Sequence, residues 1–242
     1  MSPFDKAVNF ILLEREDFSG KDRVRIAGRR LEHIRRVLGS VEGTELRVGL
    51  LNDRIGKGQI ERIDNDALEM SVTLESEPPP PLPLRLILAL PRPKVLNRTI
   101  AAAASMGVRQ IDLINSWRVE KSYWDSPRLL ESNLRMQCIL GLEQAGDTVL
   151  PVIRMHRLFT PFVRGELRES IVDHLALLAH PAADTPVPRN LSGPVVLAIG
   201  PEGGFIVREV ETFQEIGFTP VNLGPRILRV ETAVACLVGR LF

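Results

Sequence analysis

Two loops rich in glycine and proline constrain the fold of this chain more than any other feature. They cover residues 199–205 (IGPEGGF) and 223–233 (LGPRILRVETA). Each follows a short apolar run and precedes a helical pattern, so each is predicted to be the turn at the carboxyl end of a buried strand. Open α/β sheets bind their ligands at that edge. Because glycine permits close backbone approach and proline fixes φ, the two loops predict a stiff pocket wall with many main-chain donors.

Neither loop has the spacing of a phosphate-binding motif. A P-loop needs Gly-x-x-x-x-Gly-Lys-Ser/Thr, and the dinucleotide fingerprint needs Gly-x-Gly-x-x-Gly; both are absent from these loops. A carboxylate, Glu202, also stands in the middle of the first loop, which disfavours a polyanion. A neutral or cationic ligand is therefore expected.

The proline-rich stretch at residues 77–83 (EPPPPLP) is predicted to separate two domains, because it favours extended polyproline II structure. Residues 1–77 form the first predicted domain, 78–83 the linker and 84–242 the second domain. Between Phe4 and Glu77 the pattern is one of short strands and turns with a single helix, which predicts a small β-barrel. The predicted strands are 9–13, 22–26, 45–51, 56–63 and 67–74, and the predicted helix is 28–38.

Beyond the linker, apolar strands alternate with helices, which predicts a parallel sheet covered on both faces. The predicted strands are 84–90, 110–114, 175–179, 195–199 and 221–223, and the predicted helices are 94–106, 127–145, 207–216 and 231–242. Between residues 151 and 193 the signal is weak, apart from a helical stretch at 163–173.

Composition adds expectations about location and metals. No apolar run approaches the roughly 18 residues that span a bilayer, and the N-terminus lacks the pattern of a signal peptide, so a cytoplasmic protein is expected. The two cysteines, Cys138 and Cys236, fall in apolar helical patterns without metal-ligand spacing. Neither a disulfide nor a metal site is therefore predicted.

Basic residues are concentrated between residues 21 and 36. This stretch contains seven basic residues and only two acidic ones, whereas the net charge of the whole chain is +1. Such a patch is typical of a surface that binds a phosphate backbone. A solvated helix face, with arginine stems that cover apolar surface, is the alternative. The arginines predicted to contact RNA are Arg23, Arg25, Arg29, Arg30, Arg35 and Arg36.

The motifs GPEGGF and LGPRILRVETA resemble the C-terminal signature of the RsmE family, the 16S ribosomal RNA uracil-N3 methyltransferases of the SPOUT class. The resemblance implies an α/β fold: an N-terminal PUA-like β-barrel followed by a SPOUT domain with a C-terminal deep trefoil knot. It also implies S-adenosylmethionine (AdoMet) as methyl donor, ribosomal RNA of the small subunit as partner and substrate, and a homodimer. No membrane partner is expected.

The resemblance further assigns roles to residues. Arg229 and Glu231 are expected beside the transferring methyl group, where an arginine can stabilise an anionic uracil; capping of the last helix is the alternative for Glu231. The predicted AdoMet-binding residues are Leu178, His180, Ile199, Gly200, Glu202, Gly203, Gly204, Leu223, Gly224, Ile227 and Leu228.

The departures from the family pattern lie at positions where the resemblance implies contact with the RNA acceptor. Ala102, Ser105, Trp117 and Asp147 replace residues that family members usually carry. Arg118 and Trp124, with Lys121 and Tyr123, are hypothesised to substitute, because an unstacked base needs aromatic faces beside cations. Packing or dimer contact is the alternative for Trp117 and Trp124. The rival functions are a non-catalytic RNA-binding or ribosome-assembly protein and a methyltransferase with another target nucleotide.

Overall fold

The computed structural model describes residues 10–242 and shows a mixed α/β protein. It contains two compact units. The first comprises the described residues up to Pro80 together with Ile139–Leu150, and the second comprises Pro81–Cys138 and Pro151–Phe242. Asn9, where the first strand was predicted to begin, lies outside the described residues. None of the helices in the described range is long and apolar enough to cross a membrane.

The first unit is built on a mixed sheet of five strands within the described residues, in the order β1-β3-β4-β5-β2. Strand β1 runs parallel to β3, and the other pairs are antiparallel. Two register shifts between β4 and β5 mark bulges, which bend a sheet and increase its twist. The elements are β1 (Phe10–Leu13), β2 (Arg23–Ile26), α1 (Gly28–Arg36), β3 (Glu45–Leu50), β4 (Ile55–Ile63) and β5 (Leu68–Ser76). The predicted strands and helix of this segment are thus confirmed within about two residues.

Alternation along the strands builds the core of the first unit. In β2, Val24 and Ile26 are buried and the alternating Arg23 and Arg25 are exposed, as expected for a sheet with one solvated face. Leu31 and Ile34 of α1 join the same cluster. A second cluster unites Phe10 with Ile139 and Leu142. These contacts explain why residues 139–150, which the sequence placed in the second domain, group with the first unit.

The second unit contains a parallel sheet of six strands among the described residues, in the order β11-β9-β10-β6-β7-β8. The strands are β6 (Leu84–Ala89), β7 (Gln110–Ile114), β8 (Val152–His156), β9 (Leu175–Ala179), β10 (Val195–Ile199) and β11 (Thr219–Val221). The predicted parallel sheet is confirmed.

The two edge strands differ from the sequence prediction. Strand β8 was not predicted, because it is mostly exposed and its mixed side chains lack the apolar run of a central strand. Strand β11 lies two residues before the predicted 221–223 and includes Pro220. Proline is tolerated there because an edge strand pairs on one side only.

The helices that follow β6 largely match their predictions, and α3 continues from the second unit into the first. They are α2 (Pro93–Ser105), α3 (Glu131–Ala145), α4 (Phe159–Phe162), α5 (Arg168–Ser170), α6 (Val207–Glu215) and α7 (Val230–Leu241). Ser126 caps a short 3-10 turn at Pro127–Leu129, accepting a hydrogen bond from the Arg128 N–H, and α3 begins only afterwards. A π-helical turn, Val163–Leu167, joins α4 to α5.

The two cysteines should differ sharply in reactivity. Both are free; Cys138 is buried and Cys236 is exposed. Burial raises the pKa of the Cys138 thiol to about 12, so its reactive thiolate is scarce at pH 8. A thiol reagent at pH 8 should therefore modify about one group per native chain rapidly and a second only after denaturation. Rapid modification of both groups in the native protein would contradict this expectation.

Candidate active site

Both glycine-rich loops line one cavity of about 320 Å³ in the second unit. It lies at the carboxyl ends of β9, β10 and β11, as the sequence predicted for the two loops. Residues 179–182 at the end of β9 form a third wall, and Arg118, Val221, Asn222 and Leu237 complete the lining.

The first loop is a tight turn held by its own backbone. The Gly204 N–H donates to the Pro201 carbonyl at 2.7 Å, and Gly204 has a φ of 71°. A Cβ on Gly200 would lie 3.0 Å from the Phe205 backbone nitrogen, tighter than most Cβ contacts, so this position favours glycine. Phe205 anchors the end of the loop against Phe213, with ring centroids 5.2 Å apart.

Asn222 organises the second loop, although the sequence did not single it out. Its Oδ1 accepts a hydrogen bond from the Gly224 N–H at 2.9 Å, and its Nδ2 donates to the carbonyls of Ala183 and Thr185 at 2.6 and 3.2 Å. Gly224 has a φ of 113°, which side chains rarely permit. An asparagine two residues before a glycine, directly after a strand, was the available signal, because asparagine side chains commonly bond the backbone two residues on.

The structure brings most of the predicted cofactor-binding residues to this cavity. Those that line it are His180, Ile199, Gly200, Glu202, Gly203, Gly204, Leu223, Gly224, Ile227 and Leu228. Leu178 does not line the cavity; its side chain is fully buried in the sheet, and Ala179 stands at the wall instead. The Nδ1 of His180 accepts a hydrogen bond from the Ala182 N–H at 3.3 Å, which orders the third wall.

Arg229 and Glu231 flank the cavity lining at the start of α7 without belonging to it. Arg229 occupies the N-cap position and is exposed. Within residues 10–242, its guanidinium has neither a hydrogen bond nor an ion pair. Glu231 lies in the first turn of α7, where a carboxylate is stabilised by the helix dipole. It also accepts a hydrogen bond from Arg98 at 3.2 Å.

The residues predicted to substitute for the missing RNA contacts differ in placement. Arg118 lines the cavity, and its Nη1 donates to the Gly203 carbonyl. Trp124 is only 7% exposed; its Nε1 donates to Asn115 Oδ1 at 2.9 Å, and the Arg157 guanidinium lies 5.3 Å from its ring centre. The ring of Trp124 is therefore packed in the protein and not presented to a base.

The predicted basic patch of the first unit is partly engaged in internal contacts. Arg30 donates to both carboxylate oxygens of Asp17 at 2.6 Å. Burial opposes its charge, but the hydrogen bond and charge of Asp17 more than compensate, so the pKa of Arg30 is raised. Arg29 forms two hydrogen bonds with Glu143. The exposed members are Arg23, Arg25, Arg29, Arg35 and Arg36.

Two of the departures from the family pattern have local structural roles. Asp147 is buried after α3, and its Oδ1 accepts hydrogen bonds from the N–H groups of Thr148 and Val149 at 2.6 and 3.2 Å. The hydroxyl of Ser105 donates to the Ala102 carbonyl at 2.8 Å near the end of α2.

Comparison with known proteins defines the class of the second unit. Residues 78–241 match the family described as RNA methyltransferase domain. The ribosomal RNA small subunit methyltransferase E of Treponema pallidum (strain Nichols) is 32% identical over 96% of this chain and 90% of its own length. A second relative, ribosomal RNA small subunit methyltransferase E 1 of Borreliella burgdorferi, is 23% identical over 93% of this chain and 94% of its length.

Solved structures agree with this fold. A putative methyltransferase from Legionella pneumophila, in complex with the bound cofactor SAM, is 25% identical, with a TM-score of 0.74 over 96% of this chain and 95% of that one. The ribosomal RNA small subunit methyltransferase E from Neisseria gonorrhoeae, bound to S-adenosyl methionine, is 21% identical with a TM-score of 0.76 over the same shares. The chain belongs to the RsmE family of ribosomal RNA small subunit methyltransferases. The resemblance of its two loop motifs is thereby confirmed.

Proposed function

We propose that this protein transfers a methyl group from AdoMet to N3 of a uridine in 16S ribosomal RNA. The observation that carries the proposal is the cavity walled by both glycine-rich loops at the carboxyl edge of the parallel sheet. The names of the relatives support a small-subunit ribosomal RNA substrate, and the Legionella structure was solved with the same methyl donor bound. Such a substrate would place the protein in the cytoplasm.

The residues at the cavity fit AdoMet in size and chemistry. A volume of about 320 Å³ falls at the lower end of the range for small-molecule sites, which are mostly apolar with a few placed polar groups. Ile199, Leu223 and Leu228 offer apolar surface for an adenosine moiety, and the loop backbones offer donors and acceptors. The carboxylate of Glu202 favours a ligand with positive charge. AdoMet, when bound in this cavity, would supply an electrophilic methyl group.

Arg229 and Glu231 would act on the acceptor. Methylation at N3 requires loss of the N3 proton and leaves negative charge on the uracil oxygens during the reaction. The exposed guanidinium of Arg229 can stabilise that charge, because a fixed cation lowers the energy of a developing anion. Glu231, which accepts a hydrogen bond from Arg98, would orient the side chains at the start of α7.

The finer architecture is part of this proposal. The curled mixed sheet with its single helix supports a PUA-like RNA-binding barrel over residues 1–77, with 78–83 as linker and 84–242 as a SPOUT domain. A trefoil knot in that domain follows from the family resemblance. Residues 183–191 lie against the C-terminal segment, since the Leu191 N–H donates to the Leu241 carbonyl and Asn222 donates to those of Ala183 and Thr185. The homodimer follows from the family resemblance, and light scattering after gel filtration would test it.

The cofactor site makes a prediction about Gly224. Replacing Gly224 by alanine should let the free loop relax away from its present backbone conformation. Returning it to the binding shape then costs on the order of 1–3 kcal/mol, so AdoMet binding should weaken roughly 5- to 150-fold. Its φ of 113° is available to glycine but strains an L-residue. Calorimetric titration with AdoMet measures the change. Gly193→Ala is the matched control, since that position is exposed and a Cβ there would meet nothing within 4 Å. Equal affinity in both variants would contradict the assigned role of the second loop.

One experiment tests the function as a whole. The purified protein is titrated with AdoMet by calorimetry and incubated with labelled AdoMet and small subunits from cells that lack the endogenous enzyme; the product is then mapped. Binding together with N3-methyluridine at one position is the expected result. Product at another base would select a changed target. Absence of AdoMet binding would overturn the proposal in favour of a non-catalytic RNA-binding protein, the rival that the replaced family residues motivate.

A further inference from the structure

The loop that follows β7, residues 116–118, places a tryptophan beside the cavity. We propose that Trp117 is a stacking platform for an unpaired base of the RNA substrate and so helps to determine which RNA segment is accepted. This inference rests on the proposed function, because it assumes that the substrate is RNA.

Exposure distinguishes the two tryptophans of the chain. Trp117 is 79% exposed, whereas Trp124 is packed in the interior. Exposed indole surface is unfavourable in water, and such surface beside a ligand site is typical of recognition. Every nucleobase has a π-face that an exposed aromatic ring can cover. Of the two rings, only that of Trp117 is presented to solvent.

The backbone of this loop is held in place by a buried carboxylate. Glu209, only 6% exposed, accepts a hydrogen bond from the Trp117 N–H through Oε1 at 2.8 Å. Its Oε2 accepts from the Ser116 hydroxyl at 3.2 Å and from the Ile206 N–H at 3.0 Å. Glu209 thus ties the loop to the start of α6, immediately after the first cofactor loop. A platform held before binding loses less entropy when a ligand docks.

The next residue connects the tryptophan to the cavity. Arg118 lines the cavity. A Cβ on Gly203 would lie 2.9 Å from Arg118 Cδ, so the Arg118 side chain is in close contact with the first loop. Trp117 itself does not line the cavity, which leaves its ring outside the space assigned to AdoMet. Arg118 and the exposed Lys121 follow Trp117 in the chain, and Glu120 and Asp125 offset their charge. An exposed aromatic ring beside the cavity of a protein in an RNA methyltransferase family matches an unstacked base, because every base offers a π-face.

The test compares Trp117→Ala, Trp117→Phe and the control Val172→Ala, which removes equally exposed apolar surface (80%) elsewhere in the second unit. Three quantities are measured for each: the AdoMet dissociation constant by calorimetry, the affinity for small subunits by filter binding, and KM and kcat for methylation. Trp117→Ala should weaken RNA affinity and raise KM roughly 5- to 150-fold, the value of one stacked base. AdoMet affinity should stay unchanged, and Trp117→Phe should retain most of the RNA affinity.

The outcomes separate this inference from the proposed function. Unchanged RNA affinity in Trp117→Ala would overturn the inference while methylation by the unsubstituted protein upholds the function. RNA binding that depends on Trp117, without methylation by the unsubstituted protein, would uphold the inference and overturn the function. If Trp117→Ala instead lowers the molecular mass in light scattering, the ring contacts a second copy of the chain and the inference is wrong.

Discussion

Replacing Asp112 by alanine is expected to lower the free energy of unfolding by about 3–5 kcal/mol, the usual cost of removing one partner from a buried ion pair. Asp112 is 1% exposed in β7. Its Oδ2 accepts a hydrogen bond from Arg85 Nε, and its Oδ1 pairs with His156 Nε2, both at 2.7 Å. Without Asp112, the charge of Arg85 would remain buried.

The surroundings of Arg85 offer little compensation for that loss. Arg85 is 7% exposed; its Nη1 donates to the Ser170 hydroxyl at 2.6 Å, and its Nη2 lies 3.7 Å from the half-exposed Glu166. Nη2 already lacks a hydrogen-bond partner among the described residues. Asp112, His156 and Glu166 are close enough to one another to suggest a metal site, but the guanidinium of Arg85 already binds Asp112. The cluster is therefore best described as an ion-pair network around the buried Arg85 and Asp112.

Urea unfolding followed by circular dichroism measures the predicted loss. Asp173→Ala, which removes an exposed carboxylate, is the control and should change stability by less than about 0.5 kcal/mol. The double variant Arg85→Met with Asp112→Leu should recover most of the loss, because an apolar pair leaves no buried charge. A loss below about 1 kcal/mol for Asp112→Ala would show that Arg85 finds another partner or water.

Replacing Arg229 by alanine is expected to lower kcat about 10²- to 10³-fold, the range found when one donor to a developing oxyanion is removed. Within residues 10–242 the guanidinium of Arg229 has no internal partner, so the protein should lose little stability. AdoMet affinity should be nearly unchanged, because Arg229 does not line the cavity. Methylation kinetics and calorimetry on the same preparation separate the two effects.

Two further variants sharpen the test of Arg229. Arg208→Ala removes another exposed arginine, near the start of α6, and should leave kcat unchanged. Arg229→Lys keeps the charge but loses the planar fork of donors, so an intermediate kcat is expected. If Arg229→Ala and Arg208→Ala have equal kcat, charge stabilisation by Arg229 is wrong and another group must act on the uracil.

Much of the fold was predictable because its signals are local. The central strands β7, β9 and β10 were predicted to the residue. In β9 and β10 the signal is a continuous apolar run, and in β7 a largely apolar one interrupted by Asp112. The six-residue and eleven-residue loop motifs predicted both the edge of the sheet where the cavity lies and most of its lining. Edge strand β8 was not predicted, because its mostly exposed residues do not form the apolar run that marks a buried strand.

The alternation of strands and helices, the two loops and the family could be predicted from patterns of neighbouring residues. Which side chains meet across the chain depended on tertiary packing. The sequence led to Trp124 as the candidate RNA contact, yet Trp124 is buried and Trp117 is the exposed ring. The roles of Glu209 and Asp112 could not be predicted from the sequence, because their partners Trp117 and Arg85 lie 92 and 27 residues away. Local propensity and hydrophobic pattern are properties of neighbouring residues, whereas the pairing of buried charges and the choice of the exposed ring depend on how distant segments pack.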